Sequence, residues 1–421
     1  MKQLLLFGGK PLVGTVEAEG AKNAALPILF ATLLGADVST LKRLPCIGDV
    51  GIVLSMLREM GARISLPSPH VAVIDTAPCQ YPKKPLENAD KLRGSLYLLG
   101  AQLARFGEAF CPFPGGCNLG VRPIDQHLKV LHAMGADISL LKEGVSIRAR
   151  QLLATEFTFE VVSVGATVNG ILAATQAKGT TVLHGASREP HVVDVADYLC
   201  KCGCHIYGAG EDTVYIEGGF PIHGATHTVV GDMMEGGTYL MAGVATGGCV
   251  TVRGITPSHL FCLRDALWDM GAEVTATDDS MTAKAGKRLL PIHLTTGPYP
   301  DFPTDLHPPM TALMAKAEGM SSIKETVWRE RFRYLPQLCR MGMRATEKDA
   351  TLDIYGGERL RGAVVEATDL RGGAAAVVLG LMAEGMTVVE QADIIFRGYE
   401  RIAEKCKALG GTVIERKGVQ G

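Results

Sequence analysis

The sequence has no surplus of charge of either sign: 42 Lys and Arg stand against 44 Asp and Glu, a formal net charge of −2. Without excess cations it cannot neutralise a run of phosphates, which argues against a nucleic-acid partner. Long hydrophobic runs are missing too. The most apolar stretches, Ala24–Ala36 and Ala374–Ala383, fall short of the roughly 18–20 residues that cross a bilayer, so no membrane partner is expected. The opening MKQLLLFGG holds an apolar run too short for a signal-peptide core, and a cytoplasmic protein is the expectation. Cysteine occurs eleven times but without the spacing of a disulfide scaffold, which fits a reducing compartment.

Familiar catalytic signatures are absent as well. There is no GxxxxGK[ST], no GxGxxG between a strand and a helix, no HExxH and no GxSxG. The common nucleotide-loop, zinc-protease and serine-hydrolase explanations lose their footing. Cys200, Cys202 and Cys204 alternate before His205, which could suggest a metal site. No second ligand pair lies at finger-like spacing, so a helix end running into a strand is the preferred reading.

What is present is a repeat. At 421 residues with 47% hydrophobic content, the chain suits two domains of about 200 residues each. Six segments share an apolar helical residue, three positions, then Gly and a short strand, as in LREMGARI, LHAMGADI and LWDMGAEV. Their glycines, Gly61, Gly135, Gly203, Gly271, Gly342 and Gly410, are 74, 68, 68, 71 and 68 residues apart, each placed to end a helix in the left-handed region. A second register, Gly35, Gly107, Gly179, Gly247, Gly319 and Gly385, closes helices apolar nearly all round, such as ALPILFATLLG and AAAVVLGLMAEG. Helices of that kind are buried. Each repeat thus reads as strand, buried helix, strand, exposed helix and two more strands. The predicted fold class is α/β, a two-lobed inside-out α/β barrel of six units of about 70 residues, three per lobe. The lobes are expected at 22–229 and at 1–21 with 230–421.

Polar residues recur where the buried helices open: Lys22 and Asn23, Arg93, Ser163 and Val164, Asp305, then Asp369 and Arg371. Free N–H groups at helix starts make natural anion seats, and the cations would strengthen them. Simple N-capping by Asp305 and Asp369 is the competing explanation. Pro308 and Pro309 are tolerable in a first turn, whereas Gly372 and Gly373 should loosen the turn around Arg371. The segment CPFPGGCNLGVRP, Cys111–Pro123, is a Gly- and Pro-rich loop with Cys117 at its tip. A neighbouring cation such as Arg122 would favour the thiolate.

At these residues the chain resembles the enolpyruvyl transferases, and among them the UDP-N-acetylglucosamine 1-carboxyvinyltransferases. The resemblance spans essentially the whole chain, through GAKNAALPILFA at 20–31, PGGCNLGVRP at 114–123, SVGATV at 163–168, FPTD at 302–305, ATDLR at 367–371 and RGYERI at 397–402. The shikimate-pathway relative shares the six-unit architecture but is not expected to carry the PGGC loop or the SVGATV segment. The resemblance implies transfer of the enolpyruvyl group of phosphoenolpyruvate to the 3′-hydroxyl of UDP-N-acetylglucosamine, with release of phosphate and no metal or cofactor. It implies Cys117 and Asp305 as acid and base, and Lys22, Asn23, Arg122, Arg331, Arg371 and Arg397 at phosphoenolpyruvate. Arg93, Arg122, Pro123, Ile124, Asp125, Gln126, Ser163, Val164, Asp305 and Val327 would hold the UDP-sugar. Gly48 and Val161 stand where the family commonly has Lys, and Arg329 and Glu330 where it more often has Glu and Asn. The alternatives are a different acceptor, as in the shikimate-pathway relative, or a UDP-sugar-binding paralogue with weak or no turnover.

Overall fold

The computed structural model describes residues 2–113 and 123–417. Twelve α-helices occur among them, alternating inner and outer along the chain. They are α1 (Lys22–Ala31), α2 (Gly48–Glu59), α3 (Tyr97–Phe106), α4 (Asp125–Ala133), α5 (Val164–Ala174) and α6 (Pro190–Lys201). The second half repeats the series with α7 (Met233–Ala245), α8 (Phe261–Asp269), α9 (His307–Met314), α10 (Leu335–Cys339), α11 (Leu370–Met382) and α12 (Ile402–Ala408).

The odd-numbered helices are the inner ones. Every residue of α7 and α9 is buried, as is Arg371–Leu381 of α11. Small and aliphatic side chains allow this, because a helix can be packed on all sides only if no face carries exposed charge. The outer helices are amphipathic: α2 buries Val50, Val53, Leu54, Met56 and Leu57, while Arg58 and Glu59 face solvent. All six glycines of the first register follow outer helices with φ between +87° and +106°, the left-handed geometry expected of them. The second register has one exception. The turn Thr32–Gly35 runs on, and Ala36 takes the positive φ of 44°. Gly35 is needed there for space instead, since a Cβ would lie 2.8 Å from the carbonyl oxygen of His223.

The chain forms two compact units, one from residues 2–19 and 231–417, the other from 20–113 and 123–230. Each contains three sheets and three inner helices. In the unit of 231–417, α7, α9 and α11 pack on one another; in the other, α3 packs on α1 and α5. Five of the six sheets share one order. The strand after an inner helix pairs antiparallel with the last strand of its repeat, and parallel with a short strand that precedes an inner helix. Thus Glu156–Thr158 joins Gly179–His184, and Thr226–Thr228 joins Val38–Lys42. In the other unit His293–Thr295 joins Met320–Lys324, Val364–Glu366 joins Met386–Glu390, and Val13–Glu17 joins Cys249–Arg253. The sixth repeat lacks its own last strand, and the N-terminal strand Lys2–Phe7 supplies it, between Met386–Glu390 and Thr412–Lys417. Among the described residues the sheet of Glu108–Pro112 has three strands and no parallel partner.

Pro308 and Pro309 fall in the first turn of α9, where no intrahelical donor is lost. The expectation for Gly372 and Gly373 is corrected. They are packed rather than loose: a Cβ on Gly372 would come within 2.6 Å of Tyr334 Cβ, and one on Gly373 within 2.6 Å of Ile395 Cγ1. Among the described residues no helix is long and apolar enough to cross a membrane.

Candidate active site

Asp305 and Asp369 read alike in the sequence, each an acid just before a buried helix, yet they do different things. Asp369 caps α11, its Oδ1 accepting the N–H groups of Arg371 at 3.0 Å and Gly372 at 3.1 Å. Asp305 is not the N-cap of α9, which begins after Leu306 without a side-chain cap. Its Oδ2 accepts Arg371 Nε and Nη2 at 3.1 and 3.0 Å, and its Oδ1 accepts Arg331 Nη2 at 3.2 Å. The guanidiniums are buried, with side-chain exposures of 1% for Arg331 and 4% for Arg371, while Asp305 keeps 29%. A partly open carboxylate therefore lies over two buried cations.

Arg371 also donates through Nη1 to Tyr399 Oη at 3.1 Å, and that hydroxyl meets Thr238 Oγ1 of α7 at 2.9 Å. These bonds link the middle of α7 to the start of α11 and to the segment before α9. Burial pulls the Arg371 guanidinium down, but Asp305, Tyr399 and Asp232 outweigh it and hold it above the usual arginine range. Arg331 Nε has no hydrogen-bond partner among the described residues. Val327 lies half-buried in a turn, its N–H donating to Glu325 Oε1 at 2.8 Å. Arg397 ends the 3₁₀ turn Ala392–Arg397 and is half-buried.

In the unit of 20–230, Lys22 opens α1 with its Nζ 3.5 Å from the buried Asp49 carboxylate, and Asn23 beside it is half-buried. Arg93 Nη2 reaches the carbonyl oxygen of Pro123 at 3.4 Å. Pro123 and Asp125 are exposed, Ile124 is half-buried and Gln126 is buried. Gln126 Oε1 accepts the Glu160 N–H at 3.1 Å, tying the start of α4 to the approach to α5. Ser163 caps α5 by accepting the Ala166 N–H at 3.3 Å, and Val164 is its first residue.

His127 was not singled out by sequence reasoning. Its Nδ1 lies 2.7 Å from Asn169 Nδ2, while the Asn169 Oδ1 accepts the Gly100 N–H at 2.8 Å. That bond orients the amide with its NH₂ toward the ring, so Nδ1 accepts and the remaining proton sits on Nε2. Gly165 leaves room for the ring, since a Cβ there would fall 2.6 Å from His127 Cε1. The glycine of SVGATV thus has a packing reason, and a glycine at a helix start was the one sequence signal available.

Of three further expectations, one lies outside the described residues, one needs adjustment and one holds. Cys117 and Arg122 lie outside the described residues. The helix starts of one unit are poor anion seats: Asp232 and Asp369 occupy the N–H groups of α7 and α11, and prolines sit in the first turn of α9. In the Cys200–His205 stretch, α6 ends at Lys201 and a strand begins at His205. Cys202 and Cys204 are buried, and burial pushes their thiols to about 11 and about 12, whereas His205 pairs with Glu217. The four side chains form no common ligand set.

Residues 6–406 match the family EPSP synthase (3-phosphoshikimate 1-carboxyvinyltransferase), which places the chain among the carboxyvinyl, or enolpyruvyl, transferases. The enolpyruvyl transferase NikO from Streptomyces tendae has the same fold, with a TM-score of 0.89 and 26% identity over 99% of each chain. EPSP synthase from Acinetobacter baumannii, at 19% identity and a TM-score of 0.78 over 99% of this chain and 100% of that one, shares the fold alone. UDP-N-acetylglucosamine 1-carboxyvinyltransferase 3 of Caldanaerobacter subterraneus subsp. tengcongensis is 43% identical over 414 residues, 98% of this chain and 99% of that one. The chain belongs to the UDP-N-acetylglucosamine 1-carboxyvinyltransferase family.

Proposed function

We propose that this protein transfers the enolpyruvyl group of phosphoenolpyruvate to the 3′-hydroxyl of UDP-N-acetylglucosamine in the cytoplasm, releasing phosphate, as the first committed step of peptidoglycan synthesis. The observation that carries this reading is 42–43% identity, over 98–99% of the chain, with relatives named for that acceptor. The likeness to EPSP synthase structures reaches only the fold.

The chemistry asks for few parts. In the addition, the acceptor oxygen bonds to C2 of phosphoenolpyruvate while its proton leaves and another arrives at C3. In the elimination, phosphate departs from C2 and a proton is lost from C3, restoring the double bond. A base must face the hydroxyl and an acid must face C3. Asp305 is the base in this reading, supported by its partial exposure over two buried guanidiniums. Cys117 is the acid; in a covalent branch its sulfur bonds to C2 as the C2=C3 π bond breaks and the thiol proton passes to C3.

Phosphoenolpyruvate carries a phosphate and a carboxylate on three carbons, so its binding calls for several cations. Lys22, Arg122, Arg331, Arg371 and Arg397 fill that role, each charge-assisted bond contributing roughly 1.5–3 kcal/mol, and Asn23 adds a neutral donor. Arg93, Arg122–Gln126, Ser163, Val164, Asp305 and Val327 would take the UDP-sugar. Cys117→Ser should abolish or cripple phosphate release while leaving UDP-N-acetylglucosamine affinity nearly unchanged. Wild-type turnover in that variant would remove Cys117 from the mechanism.

A further inference from the structure

Glu325 follows the strand Met320–Lys324 and is 2% exposed. Five donors converge on its carboxylate. Oε1 accepts Thr296 Oγ1 at 2.9 Å, the Val327 N–H at 2.8 Å and the Trp328 N–H at 3.0 Å. Oε2 accepts Thr304 Oγ1 at 2.9 Å and His307 Nδ1 at 2.8 Å. An ionised carboxylate only accepts, so His307 carries its proton on Nδ1. Its Nε2, 3.1 Å from Tyr334 Oη, then accepts the phenol proton, and Thr311 Oγ1 meets that hydroxyl at 2.8 Å.

A buried charge is costly unless every lone pair is used. Here each oxygen serves a different segment. One holds the Val327–Trp328 turn; the other holds Thr304, the residue before Asp305, and His307, the first residue of α9. We propose that Glu325 is a positioning residue for the transfer, fixing the segment that carries Asp305 against the turn that carries Val327. This rests on the enolpyruvyl-transfer reading above.

The two oxygens can be separated by substitution. Thr304→Val deletes one donor beside Asp305 and leaves the bonds to Val327 and Trp328 untouched. Glu325→Gln puts an NH₂ where one set of donors needs an acceptor. On the Oε2 side, His307 can change tautomer and Thr304 can turn its hydroxyl; on the Oε1 side, two backbone N–H groups cannot adapt. The amide group therefore faces Thr304 and His307.

The test is steady-state kinetics with phosphoenolpyruvate and UDP-N-acetylglucosamine, together with the sugar-nucleotide Kd and a thermal melt of each variant. In Thr304→Val and Glu325→Gln, kcat should fall about 10- to 100-fold from misplacement of Asp305, clearly more than the UDP-N-acetylglucosamine Kd rises, because Asp305 is only one of the contacts given to the sugar nucleotide. Unchanged kcat in folded Thr304→Val and Glu325→Gln would overturn the proposal. If Glu325→Gln does not fold, Thr304→Val alone decides by the same criterion. A wild type that releases no phosphate would overturn the enolpyruvyl-transfer reading and this inference with it, and it is told apart because the wild type is assayed first.

Discussion

Burial, reinforced by the Arg93 guanidinium, pushes the His127 imidazole from its ordinary 6.5 down to about 3. The unfolded chain therefore takes up a proton below pH 6.5 that the native site refuses until about pH 3. Stability from this residue is complete above pH 6.5 and is lost as pH falls through that window. At pH 5 the loss is about 2 kcal/mol. His307, also lowered chiefly by burial although Glu325 opposes the shift, acts in the same direction. The imidazole Cε1 proton of His127 should show no titration above about pH 4 by NMR; a midpoint near 6.5 would contradict the buried neutral tautomer. Residues of this kind are hard to read from sequence. Asp305 was legible as an acid at a helix start, but its partners Arg331 and Arg371 lie 26 and 66 positions away. Glu325 looks like any acid after a strand, and its partners Thr296, Thr304 and His307 come from other segments of the chain.

The helices were legible to the extent that one face or all faces declared themselves. Apolar residues on every side placed α7 and α11 inside, and the left-handed glycines marked where outer helices end. Tight packing at the helix starts was not legible, because a glycine offers the same letter for freedom and for lack of room. Gly372 and Gly48 separate the two cases. Ala is the better helix former by roughly 1 kcal/mol, so propensity alone favours replacing either. At Gly372 the added Cβ would meet Tyr334 Cβ at 2.6 Å, while at Gly48 it meets nothing within 4 Å. Gly372→Ala should cost about 1–3 kcal/mol in urea unfolding, because overpacking outweighs propensity. Gly48→Ala should be neutral or stabilising by up to about 1 kcal/mol. Equal effects of the two substitutions would contradict the packing account of the α11 start.

Across the whole chain, the six-fold count was readable because two glycine registers keep one period. The strand exchange was not, since no local pattern shows that Lys2–Phe7 completes the sheet of the last repeat. The topology predicts an asymmetry between fragments. Residues 20–230 are continuous in sequence and hold one compact unit, so that fragment should melt cooperatively. Residues 231–421 lack the strand between Met386–Glu390 and Thr412–Lys417 and should not fold until a peptide of residues 1–19 is added. Cooperative melting of 231–421 alone would contradict the role given to the N-terminal strands. Function belongs to this scale too, because resemblance across the full length, more than any one residue, points to the acceptor. The most direct test supplies the enzyme and phosphoenolpyruvate with UDP-N-acetylglucosamine and shikimate 3-phosphate at equal concentration and identifies the products by mass spectrometry. The account predicts the enolpyruvyl group on the UDP-sugar with equimolar phosphate; enolpyruvyl transfer to shikimate 3-phosphate, or to neither, would contradict it.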